Sequence, residues 1–331
     1  MTPLLSVIIP TCSRPKFLGR AISSVLDTAL DLDIEIMVVP NGEDDAWRVV
    51  ADDFKSDPRV RWLPLQAANA CAARNHGLEN SIGKYVRFLD DDDYLLPAAG
   101  HQLKFIEGYN LDLCSAPLVS TAINGQHLQT FILPKSADFV AAALLSISIS
   151  GFTQGTIFRR ALIAELRWCE ERTLYDDYFW MLDVAASREL RWQQTAEAVA
   201  TYVQHDGARL SRIRRSGVNS RPLVDAILRL HRQLESTGRY TRERASAVAT
   251  ALLSHAHSAF PASPAYLGSV VRKAIAIDPE AKPLHPLFKE HPWLARHLLT
   301  AEWAMLPARY LTRGYRRAVW SVGELASRFN S

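Results

Sequence analysis

The chain has 331 residues, 48% hydrophobic and 22% charged, a globular mixture that excludes disorder, collagen-like repeats and a disulfide scaffold. Lys plus Arg (38) against Asp plus Glu (35) leaves a net charge of +3, too balanced for a surface that grips nucleic acid throughout, so any basic function is local. Cys12, Cys71, Cys114 and Cys169 are scattered without a CxxC pair or zinc-like spacing, which fits a reducing compartment and no structural metal.

The N-terminus runs directly into a buried-strand pattern, Leu5 to Pro10, and turns polar at Thr11-Cys12-Ser13-Arg14, where a signal peptide would stay apolar. Phe17, Leu18, Ala21, Ile22, Val25 and Leu26 then share one face at helical spacing. Ile34 to Val39 repeats the buried-strand pattern and ends at Pro40-Asn41-Gly42. Asp44 to Phe54 predicts a helix, Val60 to Leu63 a short strand, Ala70 to Asn80 a helix and Tyr85 to Leu89 another strand. Strands alternating with helices predict an α/β domain with a mostly parallel open sheet flanked by helices. Leu111 to Ala116, Gly155 to Arg159 and Ala198 to Val203 read as further strands of the same sheet domain, and Tyr178 to Ala186 as a helix. From about Arg221 no strand pattern returns, and helical runs broken by prolines take over. The expected organisation is a domain over residues 1–215 and a helical C-terminal region over 216–331. No stretch reaches the roughly 18 apolar residues of a membrane span, the longest, Phe139 to Ile149, being short and interrupted by serines, so a cytoplasmic protein is expected.

The strongest local signal is Phe88-Leu89-Asp90-Asp91-Asp92-Asp93-Tyr94. Four adjacent carboxylates repel one another unless solvated or bound to a cation. A solvated acidic turn is one reading. The buried strand just before it favours the other, because open α/β sheets bind ligands at the carboxyl ends of their strands. Hard carboxylate oxygens there suit Mg²⁺ or Mn²⁺ bridging to phosphates.

These segments resemble, in order, the family 2 glycosyltransferases of the GT-A fold, inverting enzymes that use nucleotide sugars. Ser6 to Thr11 followed by Arg14-Pro15 is similar to the opening strand and nucleotide loop, and Ile34 to Val39 to the second strand. Ala72-Ala73-Arg74-Asn75-His76-Gly77 with Gly83 to Asp93 is similar to the run into the Asp-x-Asp metal motif. Gly155 to Arg160 resembles the strand before the acceptor-side helix, and Tyr175-Asp176-Asp177-Tyr178 an acidic pair that is normally Glu-Asp. The resemblance implies that Pro10, Thr11, Arg14, Asn41, Arg74, Asp90 and Asp91 line the donor site. It also implies that Asp90 and Asp92, joined by His205, hold the metal, and that Asp177 is the catalytic base, with Asp176 the next candidate. For His205 a structural role is equally open. Pro40-Asn41 departs from the family's two aspartates after the second strand, which leaves the nucleotide base unassigned.

The implied chemistry is a single displacement by a hydroxyl of a glycan or lipid-linked saccharide on a nucleotide diphosphate sugar, as in cell-surface polysaccharide synthesis. A sugar nucleotidyltransferase would need a glycine-rich, basic first loop, which Thr11 to Lys16 lacks. A non-catalytic nucleotide-sugar-binding module is the remaining alternative. The stretch from His205 to Arg244 holds ten arginines against four carboxylates, either an arginine-lined entrance for phosphates or a solvated helix surface, and it lacks nucleic-acid-binding motifs. Near the C-terminus, Trp303, Tyr310, Tyr315 and Trp320 interleave with Arg309, Arg313, Arg316, Arg317 and Arg328. That pattern reads either as an interfacial helix on an anionic membrane or as a helix docked on its own protein. The oligomeric state is not legible.

Overall fold

A computed structural model describes residues 2–28, 32–148, 153–172, 174–205 and 220–312. The chain divides into two compact units, Met1–Ile213 and Arg214–Ser331.

In the first unit, β1 (Leu5–Thr11) and β2 (Ile34–Pro40) are buried at every position, as mostly apolar strands covered on both faces are, with Ser6 and Glu35 hydrogen-bonded to each other at 2.6 Å. Between them runs α1 (Pro15–Thr28), which turns Leu18, Ala21, Ile22 and Val25 to the sheet. The chain continues through α2 (Trp47–Asp53), β3 (Val60–Trp62), α3 (Ala70–Asn80) and β4 (Tyr85–Phe88). α3 is capped by Asn69, whose side chain accepts from the Cys71 and Ala72 amides. Beyond it lie β5 (Tyr94–Leu95), α4 (Ala98–Gly108), β6 (Leu113–Ser115), β7 (Leu118–Ala122), β8 (His127–Phe131) and α5 (Phe139–Leu145). Then come β9 (Thr156–Arg159), α6 (Arg160–Ile163), α7 (Asp176–Ser187), β10 (Trp192–Gln194) and β11 (Ala200–Gln204).

The larger sheet has the order β10-β6-β9-β4-β1-β2-β3, with β9 antiparallel to both neighbours and every other pair parallel. Strand order reverses around β1, since β2 and β3 extend to one side and β4 pairs on the other. This reversal opens a crevice beyond the carboxyl ends of β1 and β4, where Thr11 and Asp90 emerge.

Two features differ from the sequence reading. The strand at Ala200–Gln204 leaves the main sheet and joins a second one, β5-β11-β7-β8. The helix Ala98–Gly108 and strands β7 and β8 carry too little periodic apolar signal to be foreseen. The buried face of α4 includes Ala99 and Gln102, and β8 is exposed at four of its five positions, held by pairing with β7 rather than by burial.

Gly83, just before β4, shows how tightly this junction closes. A Cβ there would stand 2.5 Å from Ser6 Oγ and 2.6 Å from the Ser6 backbone nitrogen, and the Gly83 amide donates to Ser6 Oγ at 2.9 Å. Backbone cannot yield as a flexible side chain does, so Gly83→Ala is expected to destabilise the unit by about 1–3 kcal/mol, read by urea unfolding.

The second unit contains α8 (Arg221–Ser236), α9 (Arg242–Ala259), α10 (Pro264–Ile277), α11 (Pro286–Glu290), α12 (Pro292–Arg296) and a last helix over residues 298–312. Pro264, Pro286 and Pro292 each open a helix, where the missing amide hydrogen costs nothing. Within this unit Glu302 is fully buried, pairing with His257 Nδ1 at 2.5 Å and with Arg309 Nη1 at 2.6 Å. Arg309 also donates to the His257 carbonyl at 2.7 Å, and Trp303 meets the Phe260 ring edge-on at 5.6 Å. Trp303, Arg309 and Tyr310, whose hydroxyl donates to the Pro261 carbonyl at 2.9 Å, therefore each make a contact inside the unit, although Trp303 and Tyr310 are both 48% exposed and Leu311 is exposed as well. Tyr315, Trp320 and the arginines from Arg313 onward lie outside the described residues. Among the described residues, no helix is long and apolar enough to cross a membrane. Of the arginine-rich stretch, Arg209, Arg212, Arg214 and Arg215 also lie outside them. Arg244 points inward and donates to the Arg239 carbonyl at 2.7 Å.

Candidate active site

Parallel pairing of β1 with β4 brings Ile8 opposite Phe88, and the Leu89 amide donates to the Ile8 carbonyl at 3.0 Å. The acidic run therefore leaves β4 alongside the loop that leaves β1. Its four carboxylates take different surroundings. Asp91 is fully buried and turned into the protein, where Oδ2 accepts from Thr11 Oγ1 at 2.6 Å and Oδ1 lies 3.3 Å from Arg14 Nε. Burial pushes its carboxyl up to about 7, against the pull of Arg14 and Thr11. Asp92 Oδ2 lies 2.5 Å from Arg14 Nη1 and 2.9 Å from His205 Nε2. Asp90 is the half-buried member, bonded to Arg74 Nη2 and Gln154 Nε2, each at 2.9 Å.

One carboxyl oxygen from each of Asp90, Asp92 and Asp93 falls within 4.8 Å of the others. This all-oxygen donor set is the chemistry of Mg²⁺ and Mn²⁺ rather than of zinc, and the residues fit such an ion. Asp93, which sequence reasoning left without a role, completes the group, and Asp91 stands apart from it. The signal for Asp93 existed in the four-residue run, but Asp91 and Asp93 are both fully buried, and the choice among its members depended on which partners each carboxylate is directed toward. β11 decides this. Its pairing with β5 delivers the Val203 amide to Asp93 Oδ1 at 2.7 Å and sets His205 against Asp92, with the imidazole stacked on Phe17 at 4.7 Å.

The second acidic pair opens α7. Tyr175 precedes it at φ 59, a left-handed conformation uncommon outside glycine, and Ser13 in the loop after β1 adopts φ 54. Both strained positions border the crevice, as strained backbone at functional sites commonly does. Asp176 and Asp177 occupy the first turn of α7, where the helix dipole favours negative charge. Arg74, from α3, joins the two acidic segments, with Nη1 2.9 Å from Asp176 Oδ2 and Nη2 2.9 Å from Asp90 Oδ1. Its guanidinium lies over the Trp168 ring at 4.6 Å, and that ring stacks on Trp180 at 4.8 Å. The two carboxylates outweigh desolvation, which opposes them, so its pKa is raised and the charge is secure. Asp177 accepts the Tyr178 amide at 2.8 Å, and burial together with the neighbouring Asp176 pushes its carboxyl up to about 6.

Asn41 is buried, and its amide donates to the Thr11 carbonyl at 2.8 Å, tying the ends of β1 and β2 together. The same amide reaches the Val39 carbonyl at 3.4 Å, so the Asn41 carbonyl oxygen is the group left to face a ligand. Pro10 and Thr11 end β1 beside it.

Residues 6–166 match the family model described as glycosyl transferase family 2. The GalNAc(5)-diNAcBac-PP-undecaprenol beta-1,3-glucosyltransferase of Campylobacter jejuni is 32% identical over 179 residues, covering 51% of this chain and 56% of that protein. The uncharacterized glycosyltransferase EpsJ of Bacillus subtilis is 36% identical over 104 residues, covering 31% of this chain and 30% of that protein. The chain thus spans less than two thirds of these curated relatives. Among solved structures, S. aureus TarS 1-349 in complex with UDP-GlcNAc superposes with a TM-score of 0.69 at 16% identity, covering 93% of this chain and 91% of that one. The mannosyltransferase PcManGT from Pyrobaculum calidifontis, in complex with GDP-Man and Mn²⁺, gives 0.52 at 17% identity, covering 94% and 87%. At such identities the likeness concerns the fold, which is the GT-A fold expected from the sequence.

Proposed function

We propose, from the match of residues 6–166 to the glycosyl transferase family 2 model, that the protein transfers a sugar from a nucleotide diphosphate donor to a hydroxyl of a glycan or lipid-linked saccharide. The observation that carries this reading is the convergence of two acidic segments, Asp90 to Asp93 and Asp176-Asp177, on one crevice through Arg74. Asp90, Asp92 and Asp93 hold a divalent cation. Mg²⁺ or Mn²⁺ bound there supplies positive charge to the departing diphosphate. Thr11, Arg14 and Asn41 border the donor side, with Arg14 able to turn from Asp92 toward phosphate oxygens. Asp177, from a separate segment, accepts the proton of the attacking hydroxyl. A single displacement with no covalent sugar intermediate inverts the anomeric centre.

A lipid-linked saccharide is favoured as acceptor by the 179-residue likeness to an enzyme named for an undecaprenol-linked substrate, and it would bring the protein to a membrane face. The product fits cell-surface polysaccharide assembly. A thermal-shift panel of UDP, GDP, dTDP and CMP sugars, with and without Mn²⁺, tests the donor assignment. One nucleotide is expected to raise the melting temperature only with metal, and at a hundredfold excess over Kd it stabilises by about 2.7 kcal/mol. No metal-dependent shift with any of them would remove the donor reading.

A further inference from the structure

Gln154 lies just before β9, outside every motif that the sequence singled out. Its side chain is 95% buried, being 5% exposed, and its Nε2 donates to two carboxylates at once, Asp90 Oδ2 at 2.9 Å and Asp93 Oδ2 at 2.7 Å. An amide nitrogen has two hydrogens and no charge. It can hold two carboxylates at a fixed separation while leaving both negative, whereas a lysine in its place would compete with a cation.

The backbone beneath this amide is held by Ala116, Gln102 and Arg87. A Cβ on Gly155 would stand 2.5 Å from the Ala116 carbonyl oxygen, so only glycine fits there. The Ala116 amide donates to the Gly155 carbonyl at 2.9 Å, and Gln102 Nε2 donates to the same carbonyl at 2.9 Å and to that of Cys114 at 2.8 Å. Gln102 Oε1 in turn accepts from Arg87 Nη2, whose other terminal nitrogen reaches the Gln154 carbonyl at 3.5 Å. Arg87 is fully buried on β4, three residues before Asp90, and among the described residues no carboxylate pairs with it. Its two terminal nitrogens go instead to the two glutamines, while its Nε is buried with no hydrogen-bond partner among the described residues.

We propose that Gln154 is a positioning residue for the cation site, its amide setting the separation of Asp90 and Asp93 while Arg87 and Gln102 fix the segment that carries it. The assignment rests on the cation reading of the acidic run and deepens it. Partners of this kind, one shell out from the ion, typically govern metal affinity by about 10- to 100-fold.

The test is a Mn²⁺ titration of the full-length protein, read from the electron paramagnetic resonance of free Mn²⁺, on wild type, Gln154→Met and Gln154→Ala. Methionine keeps the volume and removes the donor. Thermal unfolding of each variant establishes that it is folded. Both variants are expected to bind Mn²⁺ about tenfold more weakly, with a raised KM for Mn²⁺ in sugar transfer and a kcat at saturating metal within a few fold of wild type. Unaltered Mn²⁺ affinity in folded Gln154→Met overturns the proposal. So does failure of both variants to fold, which would make Gln154 a core residue. Wild-type protein that binds no Mn²⁺ defeats the cation reading itself, an outcome distinct from wild-type binding that Gln154→Met leaves unchanged.

Discussion

Asp92→Ala is expected to abolish sugar transfer, by about 10³-fold or more, in a protein that still folds. The carboxylate lies in the loop after β4, contributes one of three clustered oxygens, and is held by the polar partners Arg14 and His205. Removing it takes away charge stabilisation where the leaving diphosphate gathers negative charge, and even one such contact is commonly worth about 10² to 10³ in rate. The fold survives because Arg14 and His205 each keep another contact. Arg14 retains Asp91 at 3.3 Å, and His205 retains the stack on Phe17. The stability cost is that of charged hydrogen bonds, about 1–3 kcal/mol. Metal-titrated transfer assays beside urea unfolding separate the two effects. Near-normal turnover of wild type in EDTA would refute the cation assignment.

Asp177→Asn is expected to lower kcat by about 10² to 10⁴-fold while donor binding is unchanged, since the amide is nearly isosteric but cannot take a proton. Two pH dependences follow from a carboxyl pushed up to about 6 by burial and by Asp176. The base acts only when ionised, so the wild-type rate falls about tenfold per unit below pH 6 and levels off above it. Stability moves in the opposite sense. The folded protein holds this proton to a higher pH than the unfolded chain, whose carboxyl titrates near its ordinary value. Stability is therefore lost as pH rises through that interval and stays reduced above it. The asparagine has no such penalty, so the variant is expected to melt higher than wild type at pH 8 and alike near pH 3. A wild-type kcat in Asp177→Asn would move the base to Asp176, and an unchanged melting difference across pH would show that Asp177 is not the buried ionising group.

Much of this site was legible in the residues themselves. Mostly apolar runs at Leu5–Thr11, Ile34–Pro40 and Tyr85–Phe88, interrupted at Ser6, Glu35 and Arg87, suit strands of a mostly parallel sheet covered on both faces, so the carboxyl ends of those strands were the expected place for a ligand. The acidic run, Arg74 and the Asp176-Asp177 pair were each visible as local strings. Their joining was not, because Arg74 meets Asp176 across 102 positions of sequence, and nothing local marks the partner of a side chain so far away.

Sequence by itself therefore determined the strand-helix alternation and the chemistry available at the crevice, since burial pattern and residue type are properties of short segments. Only the tertiary structure decided which acids cluster there. Asp91 and Asp93 are alike in type and both fully buried, yet Thr11 and Arg14 draw the first toward β1 and its following loop while Gln154 and the Val203 amide hold the second beside Asp90. Those partners come from β1, the segment before β9, and a strand of a second sheet. A carboxylate's orientation and pKa are set by whichever dipoles and charges the fold brings within a few ångströms, and the order of residues along the chain does not record that distance.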